Sequence, residues 1–428
     1  MFYACKALTS VGDLSKWDTS KVTNMTWMFG ECAALTKLNL SDWNVSQVTA
    51  TMTMFYNCTA LTSVGDLSKW DTSKVTTTKS MFYNCTALTS VGDLSKWDTS
   101  NITDMGWMFY ACKALISAGN LASWNTSKVT NMKSMFCDCV ALTKLILSDW
   151  NVSKVTNMSF MFQNCTALTS IGNLSKWNIS NVTSMESMFK ECSALTNISD
   201  LSKWDTSKVT STRSMFYNCF KLNDLGNLSK WDTSNITDMR WMFYTCKVLT
   251  NVGDLSKWDT SKVTSMKSMF SDCATLTKLD LSNWNVSQVT DMSFMFNGCS
   301  SLTSIGNLSE WNTTKVTSMY AMFESCNKLT SVGDLSKWNT AKVTNMKAMF
   351  ESCNKLTSVG NLSGWNVSQV TNMSFMFSVC SSLTSVGNLS GWNTAKVTNM
   401  NAMFQACSEL TSVGDLSGWN LSKVTSLV

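Results

Sequence analysis

The residues of this sequence that could carry chemistry are cysteines, tryptophans and lysines, and each type recurs at a fixed interval. Of the 17 cysteines, sixteen fall in one column with a spacing of 26 or 27 residues, and Cys137 alone lies outside it. Such a column could bind a metal, form disulfides between neighbouring repeats, or pack as small apolar groups. Parallel neighbours have poor Cβ geometry for a disulfide, and Cys137 and Cys139 lack C-x-x-C spacing. We therefore predict a structural ladder of buried free thiols that includes Cys32, Cys58, Cys85 and Cys112.

Tryptophan forms a second column. An exposed row of indoles could stack on sugars or bases, but a long exposed row would be an aggregation hazard, so we predict a buried ladder that includes Trp17, Trp43, Trp70 and Trp97. Three tryptophans lie outside the column, directly before a Met-Phe pair. These are candidate surface contacts: Trp27, Trp107 and Trp241.

Lysine occupies positions on both sides of the tryptophan column. A row of lysines could bind an anionic polymer, whereas the acidic residues Asp66 and Asp71 beside Lys69 indicate a neutralised, solvated surface. Both interpretations remain open. The candidate surface lysines are Lys16, Lys21, Lys69, Lys74 and Lys96.

Composition excludes several kinds of site. The chain has no histidine, which removes Ser-His-Asp and Cys-His catalytic pairs and every zinc site that uses histidine. A net charge of +5 from 34 basic and 29 acidic residues gives no reason to expect a nucleic-acid partner. No apolar run is long enough to cross a bilayer. We expect no cofactor and no metal, and no clustered acid, base or nucleophile interrupts the repeats to suggest an enzyme.

These columns belong to sixteen repeats, each marked by Met-Phe-x-x-Cys. A period in this range is typical of a solenoid, in which neighbouring repeats cover each other's apolar faces. We expect residues 1–428 to form a single solenoid. Because no polar capping repeat is visible at either end, we also expect the chain to be an excerpt of a longer protein. Residues 81–177 match residues 215–311 at an offset of 134, which indicates a copied block of five repeats.

Within a repeat, Leu35 to Trp43 reads L-x-x-L-x-L-x-x-W, a pattern that predicts a short strand. Thirteen repeats carry one extra residue here, and in twelve the inserted pair begins with Gly, which predicts a bulge. The segment Met81 to Leu88 has the spacing of one helical face and predicts a helical or 3₁₀ turn. Two further columns are predicted as structural ladders: a turn-forming Asx column (Asp18, Asn44, Asp71) and a threonine column (Thr23, Thr49, Thr76).

The motifs LTSVGDLSKWDTS, KVTNM and MFxxC resemble the leucine-rich repeats, and among them the BspA-like bacterial surface repeats and the short repeats of mycoplasma surface proteins. The resemblance covers essentially the whole chain, although Trp replaces the usual Asn or Cys of the leucine-rich-repeat pattern. It implies a right-handed leucine-rich-repeat solenoid, a β-rich α/β stack of about sixteen coils. It also implies a location at the cell surface or outside the cell.

These observations predict a non-enzymatic structural or adhesive module. Its long repetitive face would offer many equal weak contacts to a host protein, a glycan or other copies of itself. A subunit of a self-assembling extracellular filament or sheath is the leading alternative, and an enzyme is a remote one. An ice-binding surface on the threonine column is a further alternative, but such surfaces need two adjacent threonine files.

Overall fold

Parallel backbone bridges connect residues that lie one repeat apart in the sequence. The computed structural model describes residues 1–428. Their contacts divide them into unit 1 (Met1–Val209 and Asn218–Leu225) and unit 2 (Thr210–Tyr217 and Gly226–Val428). In both units each repeat forms one coil, and successive coils stack in register, so the predicted leucine-rich-repeat solenoid is confirmed. That all 428 residues form a single solenoid stays a prediction.

Two lines of bridges run through the coils of unit 1. The first bridge line follows the threonine column and includes Asn24↔Ala50, Ala50↔Thr77, Thr77↔Asp104, Asp104↔Asn131, Asn131↔Asn157 and Asn157↔Ser184. The second bridge line lies where the strand is predicted and includes Lys37↔Ser63, Ser63↔Ser90, Ser90↔Ser117, Lys144↔Ser170 and Asn197↔Asp224. Each bridge involves one residue per coil, so the predicted short strand is reduced to a single paired residue.

Unit 2 repeats this arrangement. Its first bridge line runs without a gap from Ser211 through Asp238, Ser265, Asp291, Ser318, Asn345 and Asn372 to Asn399. Its second bridge line includes Lys278↔Ser304 and Ser358↔Ser385. The same two lines therefore hold neighbouring coils together in both units.

The only helices are four 3₁₀ turns of three residues each. Unit 1 contains η1 (Leu67–Lys69) and η2 (Leu94–Lys96), and unit 2 contains η3 (Leu228–Lys230) and η4 (Leu362–Gly364). Each begins after an Asp or Asn whose side chain accepts a hydrogen bond from the serine N–H two residues on, as Asp66 does from Ser68. A 3₁₀ turn is therefore present, but it lies directly before the tryptophan column and not in the Met-Phe-x-x-Cys segment, where it was predicted.

The Met-Phe-x-x-Cys segment is not helical, so the helical turn predicted from the spacing of its apolar residues is wrong. Its N–H groups alternate between two kinds of acceptor. Met54, Tyr56 and Cys58 donate to the carbonyl three residues back, while Thr53, Phe55 and Asn57 donate to the next coil. A helix needs every N–H for its own turn. Because the adjacent coil captures every second N–H, the segment forms successive turns instead.

The predicted bulge is present at the glycine column, where φ lies between 74° and 84°. A Cβ built at Gly92 would lie 2.5 Å from Asp66 Oδ1 of the preceding coil. Both the left-handed backbone and this close approach favour glycine over residues with a Cβ. Ser199, the exception among the thirteen, adopts the same conformation with φ of 72°. In all three coils without the insertion, a serine hydroxyl accepts the N–H of an Asp or Asn of the next coil: Ser41 from Asp66 at 2.9 Å, Ser148 from Asn173 at 2.8 Å and Ser282 from Asn307 at 2.8 Å.

The core is made of ladders of identical side chains. The phenylalanines of successive Met-Phe pairs are fully buried, and neighbouring rings from Phe29 to Phe109 stack with centroids 5.1 to 5.8 Å apart. Met81, Cys85 and Leu88 of the same segment are equally buried. The apolar face inferred from their spacing thus points inward, although the backbone is not helical.

Candidate binding face

Beside the first bridge line, each coil turns a short set of chemically varied side chains outward. In the coil of Met81 these positions are Thr77, Lys79, Ser80, Tyr83 and Asn84, and we call the surface formed by the equivalent positions of every coil the variable face. In that coil Ser80 is buried and the other four side chains are half-buried, while Met81 and Phe82 between them lie in the core. The buried Met and Phe therefore recur in every such coil, while the residues of the variable face around them change from coil to coil.

The backbone of the variable face is left-handed at two places in each coil. One is the residue before Met-Phe and the other is the residue before Cys, as at Ser80 (φ 55°) and Asn84 (φ 57°). Asn tolerates this region well, but a bulky aromatic residue does not. Even so, Trp27, Trp107 and Trp241 adopt φ of 58°, 56° and 55° at the first place. All three candidate tryptophans are half-buried on this face.

An aromatic ribbon runs along the variable face of unit 1. Trp27 contacts Tyr3 and Tyr56 edge-on, with ring centroids 5.0 and 5.1 Å apart. Tyr56, Tyr83 and Tyr110 then stack in parallel at 4.6 and 4.5 Å. Burial, with further contributions from Cys137 and Asp138, raises the pKa of Tyr110 to about 12. Tyr110 is therefore neutral at physiological pH, and the ribbon presents aromatic faces and hydroxyl groups.

Trp107 lies between two cations from the neighbouring coils. The ammonium groups of Lys79 and Lys133 lie 5.3 and 5.5 Å from its ring centroid. Lys133 also lies 5.8 Å from the ring of Phe160, and Lys79 forms a loose ion pair of 3.8 Å with Asp104. The result is an indole with a cation on each side.

A second cluster of cations around an indole occurs in unit 2, and one of its two cations, Arg240, comes from the same coil as Trp241. The guanidinium groups of Arg213 and Arg240 lie 5.1 and 5.5 Å from the ring centroid of Trp241. Arg240 also makes a bidentate contact with Asp238, in which Nε donates to Oδ1 and Nη2 donates to Oδ2. Tyr217 and Tyr244 stack at 4.7 Å, as Tyr83 and Tyr110 do in unit 1.

The structure does not bring the candidate lysines together with these aromatic residues. Lys16, Lys21, Lys69, Lys74 and Lys96 are exposed on either side of the tryptophan column, and Lys74 donates to Gln47 Oε1 at 2.6 Å. Lys69 and Lys96 end η1 and η2 in adjacent coils. They belong to a separate, polar surface.

The tryptophan column lies inside the coils. Trp43, Trp70 and Trp97 are buried, and each indole N–H donates to a leucine carbonyl of the preceding coil, as Trp97 does to Leu67 at 2.9 Å. Trp17 stacks on Trp43 at 6.1 Å and is 38% exposed. The indoles of this column are therefore placed for packing and hydrogen bonding between coils, and not for contact with a ligand.

The cysteine column is also internal, and all 17 thiols are free. Cys32, Cys58, Cys85 and Cys112 are buried, and their sulfhydryls donate to phenylalanine carbonyls of the preceding coil at 2.9 to 3.1 Å. Burial raises the pKa of Cys58 to about 12. These thiols are thus kept protonated and unreactive.

The threonine and Asx columns hold turns and coils together. Thr49 and Thr76 hydroxyls each donate to the threonine carbonyl of the preceding coil at 3.1 Å, with Thr23 as the first acceptor. Asp18, Asn44 and Asp71 accept from the serine N–H two residues on, within their own turns. The hydrogen bond to the next coil comes instead from the residue after the Asp or Asn: the hydroxyl of Thr72, which follows Asp71, donates to the carbonyl of Asp98.

No group of three side chains suited to a metal ion is present. None of the helices is both long and apolar enough to cross a membrane.

Sequence reasoning missed the tyrosine ribbon and the lysines that flank Trp107. Tyrosine does recur two residues after Met in consecutive repeats, as at Tyr56, Tyr83 and Tyr110. That recurrence is a usable signal. The pairing of Lys79 and Lys133 with one indole could not be recognised, because it depends on the registry of three coils.

Comparisons with known proteins agree with the repeat analysis. A family described as "Mycoplasma protein of unknown function, DUF285" matches residues 1–118, 89–197, 143–247, 221–333 and 329–428, which together span the chain. No protein of curated function is significantly similar to it.

Among solved structures, similar folds include a leucine-rich cell surface protein of Faecalibacterium prausnitzii. That protein is 18% identical with a TM-score of 0.38, and the match covers 82% of this chain and 79% of that one. A leucine-rich repeat protein of Bacteroides ovatus is 16% identical with a TM-score of 0.37, and the match covers 87% of both chains. A leucine-rich repeat protein of Eubacterium ventriosum is 17% identical with a TM-score of 0.34, covering 82% and 84%.

Proposed function

This chain belongs to the DUF285 family of mycoplasma proteins, and we propose that it is a non-enzymatic adhesive module that displays the variable face to a partner outside the cell. The observation that carries this proposal is the contrast between a constant interior and a changing exterior. Phe82 and Phe109 occupy identical buried positions, while the residues two positions before them, on the variable face, are the buried Ser80 and the half-buried Trp107. A scaffold of this kind can vary its contacts without altering its core.

The aromatic content of the variable face supports binding. Tyrosine, tryptophan and arginine are enriched at the centres of protein interfaces because they offer large contact areas together with polar groups. Tyr83, Tyr110 and Trp107 combine these features on coils that are already rigid, so little side-chain entropy remains to be lost on binding. Repetition along the stack adds avidity for an extended or clustered partner.

A location at the cell surface is part of the proposal. It rests on the resemblance of the repeats to bacterial surface repeats. The partners proposed are a protein or glycan on another surface, or other copies of the chain.

The test is a binding survey with the purified 428-residue protein on immobilised extracellular-matrix proteins and on a glycan array. We expect saturable binding that weakens at least about tenfold, which corresponds to about 1.4 kcal/mol, when Tyr56 and Tyr83 are both changed to Ser. Serine occurs naturally at this position in other coils, as at Ser271 and Ser378. The matched control is the pair Lys69→Gln and Lys96→Gln on the polar surface, which should leave binding unchanged.

The proposal fails if no surface binds the protein, or if binding is indifferent to the tyrosine changes. Sedimentation at increasing protein concentration separates the filament alternative. A mass that grows without limit would favour a filament subunit, whereas an unchanging mass would favour display to another partner.

A further inference from the structure

We infer that the stacked tyrosines of the variable face are a modification site, at which an oxidant of the peroxide class joins neighbouring tyrosine rings through a carbon–carbon bond. The site has two parts: Tyr56, Tyr83 and Tyr110 in unit 1, and Tyr217 and Tyr244 in unit 2. The product is a covalent link between adjacent coils. This inference goes beyond the proposed adhesive function and does not depend on it.

Stacking holds the reactive carbon atoms close together. Tyr56 and Tyr83 have ring centroids 4.6 Å apart and an interplanar angle of 10°, and Tyr83 and Tyr110 are 4.5 Å apart at the same angle. In unit 2, Tyr217 and Tyr244 are 4.7 Å apart at 14°. Because the rings of each pair are nearly parallel, their matching atoms, including the carbons beside the hydroxyl group, lie about as far apart as the centroids.

Backbone hydrogen bonds fix the registry of these rings. The carbonyl of Tyr83 accepts from the N–H of Asn57 at 2.8 Å, and the carbonyl of Tyr110 accepts from the N–H of Asn84 at 2.7 Å. Each of these tyrosines is thus bound to the preceding coil at its own backbone. Groups held side by side in this way react as if at a very high local concentration, so we expect links within one chain to outcompete links between chains.

The bond forms after one-electron oxidation of both phenols. Burial raises the pKa of Tyr83 and of Tyr110, so both are protonated at physiological pH, and each loses a proton together with its electron. The two phenoxyl radicals combine at the carbons beside the oxygens, and the ring hydrogens at the new bond then move to the oxygens. Each link therefore removes two electrons and two protons from the protein, which reduce one hydrogen peroxide to two waters.

Two other tyrosines separate the effect of stacking from that of exposure. Tyr3 is 55% exposed, but its ring meets Trp27 edge-on at 70°, and the equivalent position of the next coil is Gly30. Tyr320 meets Phe294 edge-on at 60°. If exposure decided reactivity, Tyr3 would be favoured. Because a link needs a second phenol at stacking distance, we expect neither residue to form one within the chain.

A competing group follows Tyr110 in the same column. Cys137 occupies the equivalent position of the next coil, where it is buried and its thiol contacts Asp138 Oδ2 at 3.7 Å. A thiol can donate a hydrogen atom to a phenoxyl radical or form a bond to its ring. A tyrosine–cysteine bond is therefore the product that has to be distinguished from a link between two tyrosines.

The experiment is brief oxidation of the full 428-residue chain, at low protein concentration, with hydrogen peroxide and a haem peroxidase. We expect the blue fluorescence of dityrosine, a monomer on a denaturing gel, and an intact mass lowered by two hydrogen atoms per link. Peptide mapping should join the peptide of Tyr83 to that of Tyr56 or Tyr110, and the peptide of Tyr217 to that of Tyr244.

Phenylalanine variants test the pairs, because they keep the stacked ring and remove the phenol. Tyr83→Phe with Tyr244→Phe leaves no two stacked tyrosines, so its fluorescence and mass after oxidation should equal those of the untreated protein. The matched control, Tyr3→Phe with Tyr320→Phe, removes the same number of phenols and should form the links of both units. Cys137→Ser should form them as well.

Several outcomes would overturn the inference. One is a link that persists in the variant with Tyr83→Phe and Tyr244→Phe, and another is the absence of any link in the native chain. Covalent dimers as the main product would place the reaction between copies. A mass change without dityrosine fluorescence that Cys137→Ser abolishes would indicate a tyrosine–cysteine bond. An equal yield of the mapped pairs in guanidinium chloride would show that the fold does not direct the reaction. None of these results depends on the binding survey, so the two proposals fail separately.

Discussion

Thr78 is a buried polar residue at a place where most coils have methionine. Its side chain is 1% exposed and its hydroxyl has no hydrogen-bond partner. An unpaired buried hydroxyl costs about 1–3 kcal/mol. We expect Thr78→Val, which keeps the shape and removes the hydroxyl, to increase the free energy of unfolding by about 1 kcal/mol in chemical denaturation.

Thr51 provides the control for this change. It occupies the equivalent position one repeat before Thr78. Its hydroxyl, however, donates to the carbonyl of Thr77 at 3.3 Å. Thr51→Val should therefore decrease stability or leave it unchanged. An equal gain in both variants would show that the hydroxyl pairing does not matter.

Glu324 is the residue with the clearest pH dependence. Burial, with repulsion from Glu351 and Asp272, raises the pKa of its carboxyl, while Asn297 and Lys347 oppose the shift. Because the folded pKa lies above the unfolded value of about 4.3, the folded state binds more protons between these two values, and stability falls as the pH rises through the folded pKa. We expect Glu324→Gln to raise the melting temperature at pH 7 and to reduce the gain in melting temperature that wild type shows as the pH falls from 7 toward the unfolded pKa of about 4.3.

The control for Glu324 is Glu310, whose pKa is lowered by its hydrogen bond and ion pair with Lys337 at 2.8 Å. The carboxyl of Glu310 has no raised pKa, so Glu310→Gln should keep the gain that wild type shows as the pH falls from 7 toward about 4.3. A flat profile in both variants would assign the effect to other groups.

Among the elements, the bulge tests how local backbone conformation stabilises a coil. Ser199 holds the left-handed conformation that glycine holds in the other twelve inserted coils. Relief of this strain is worth about 1–2 kcal/mol, and the greater freedom of glycine in the unfolded chain costs about 0.5–1 kcal/mol. We expect Ser199→Gly to stabilise the protein by about 0.5–1 kcal/mol, measured by thermal unfolding.

Ser68 in η1 is the matched position with ordinary backbone. It lies in a 3₁₀ turn, and its hydroxyl donates to Asp66 at 3.0 Å. Ser68→Gly gains no relief of strain and loses this bond, so it should destabilise. Effects of the same sign at both serines would contradict the role of φ at Ser199.

For the whole molecule, the thiol ladder makes stability independent of redox state. All 17 cysteines are free and fifteen of them are buried, so a reductant should not change the melting temperature. In the native 428-residue chain, a thiol reagent should label the exposed Cys5 rapidly and the half-buried Cys407 more slowly, and all 17 should react in guanidinium chloride. Rapid labelling of more than these two in native conditions, or a melting temperature lowered by dithiothreitol, would contradict this assignment.

Sequence periodicity determined the repeat unit, the inward columns and the bulge. These features depend on residues within one coil and on identical neighbours, so recurrence reveals them. Periodicity did not predict the position of the 3₁₀ turn or the conformation of the Met-Phe-x-x-Cys segment. Periodic burial at Met81, Phe82, Cys85 and Leu88 suits a helix as well as a chain of turns, and only the capture of alternate N–H groups by the next coil decides between them.

The candidate site depended still more on tertiary structure. Trp107 and Trp241 stand out in the sequence because they interrupt their columns. Only the stacking of coils showed that Lys79 and Lys133 flank one indole, and that Arg213 of the copied block lies over the other. A contact between residues one repeat apart requires the registry of the stack, and hydrogen bonds between coils set that registry, so a pattern within one repeat cannot determine it.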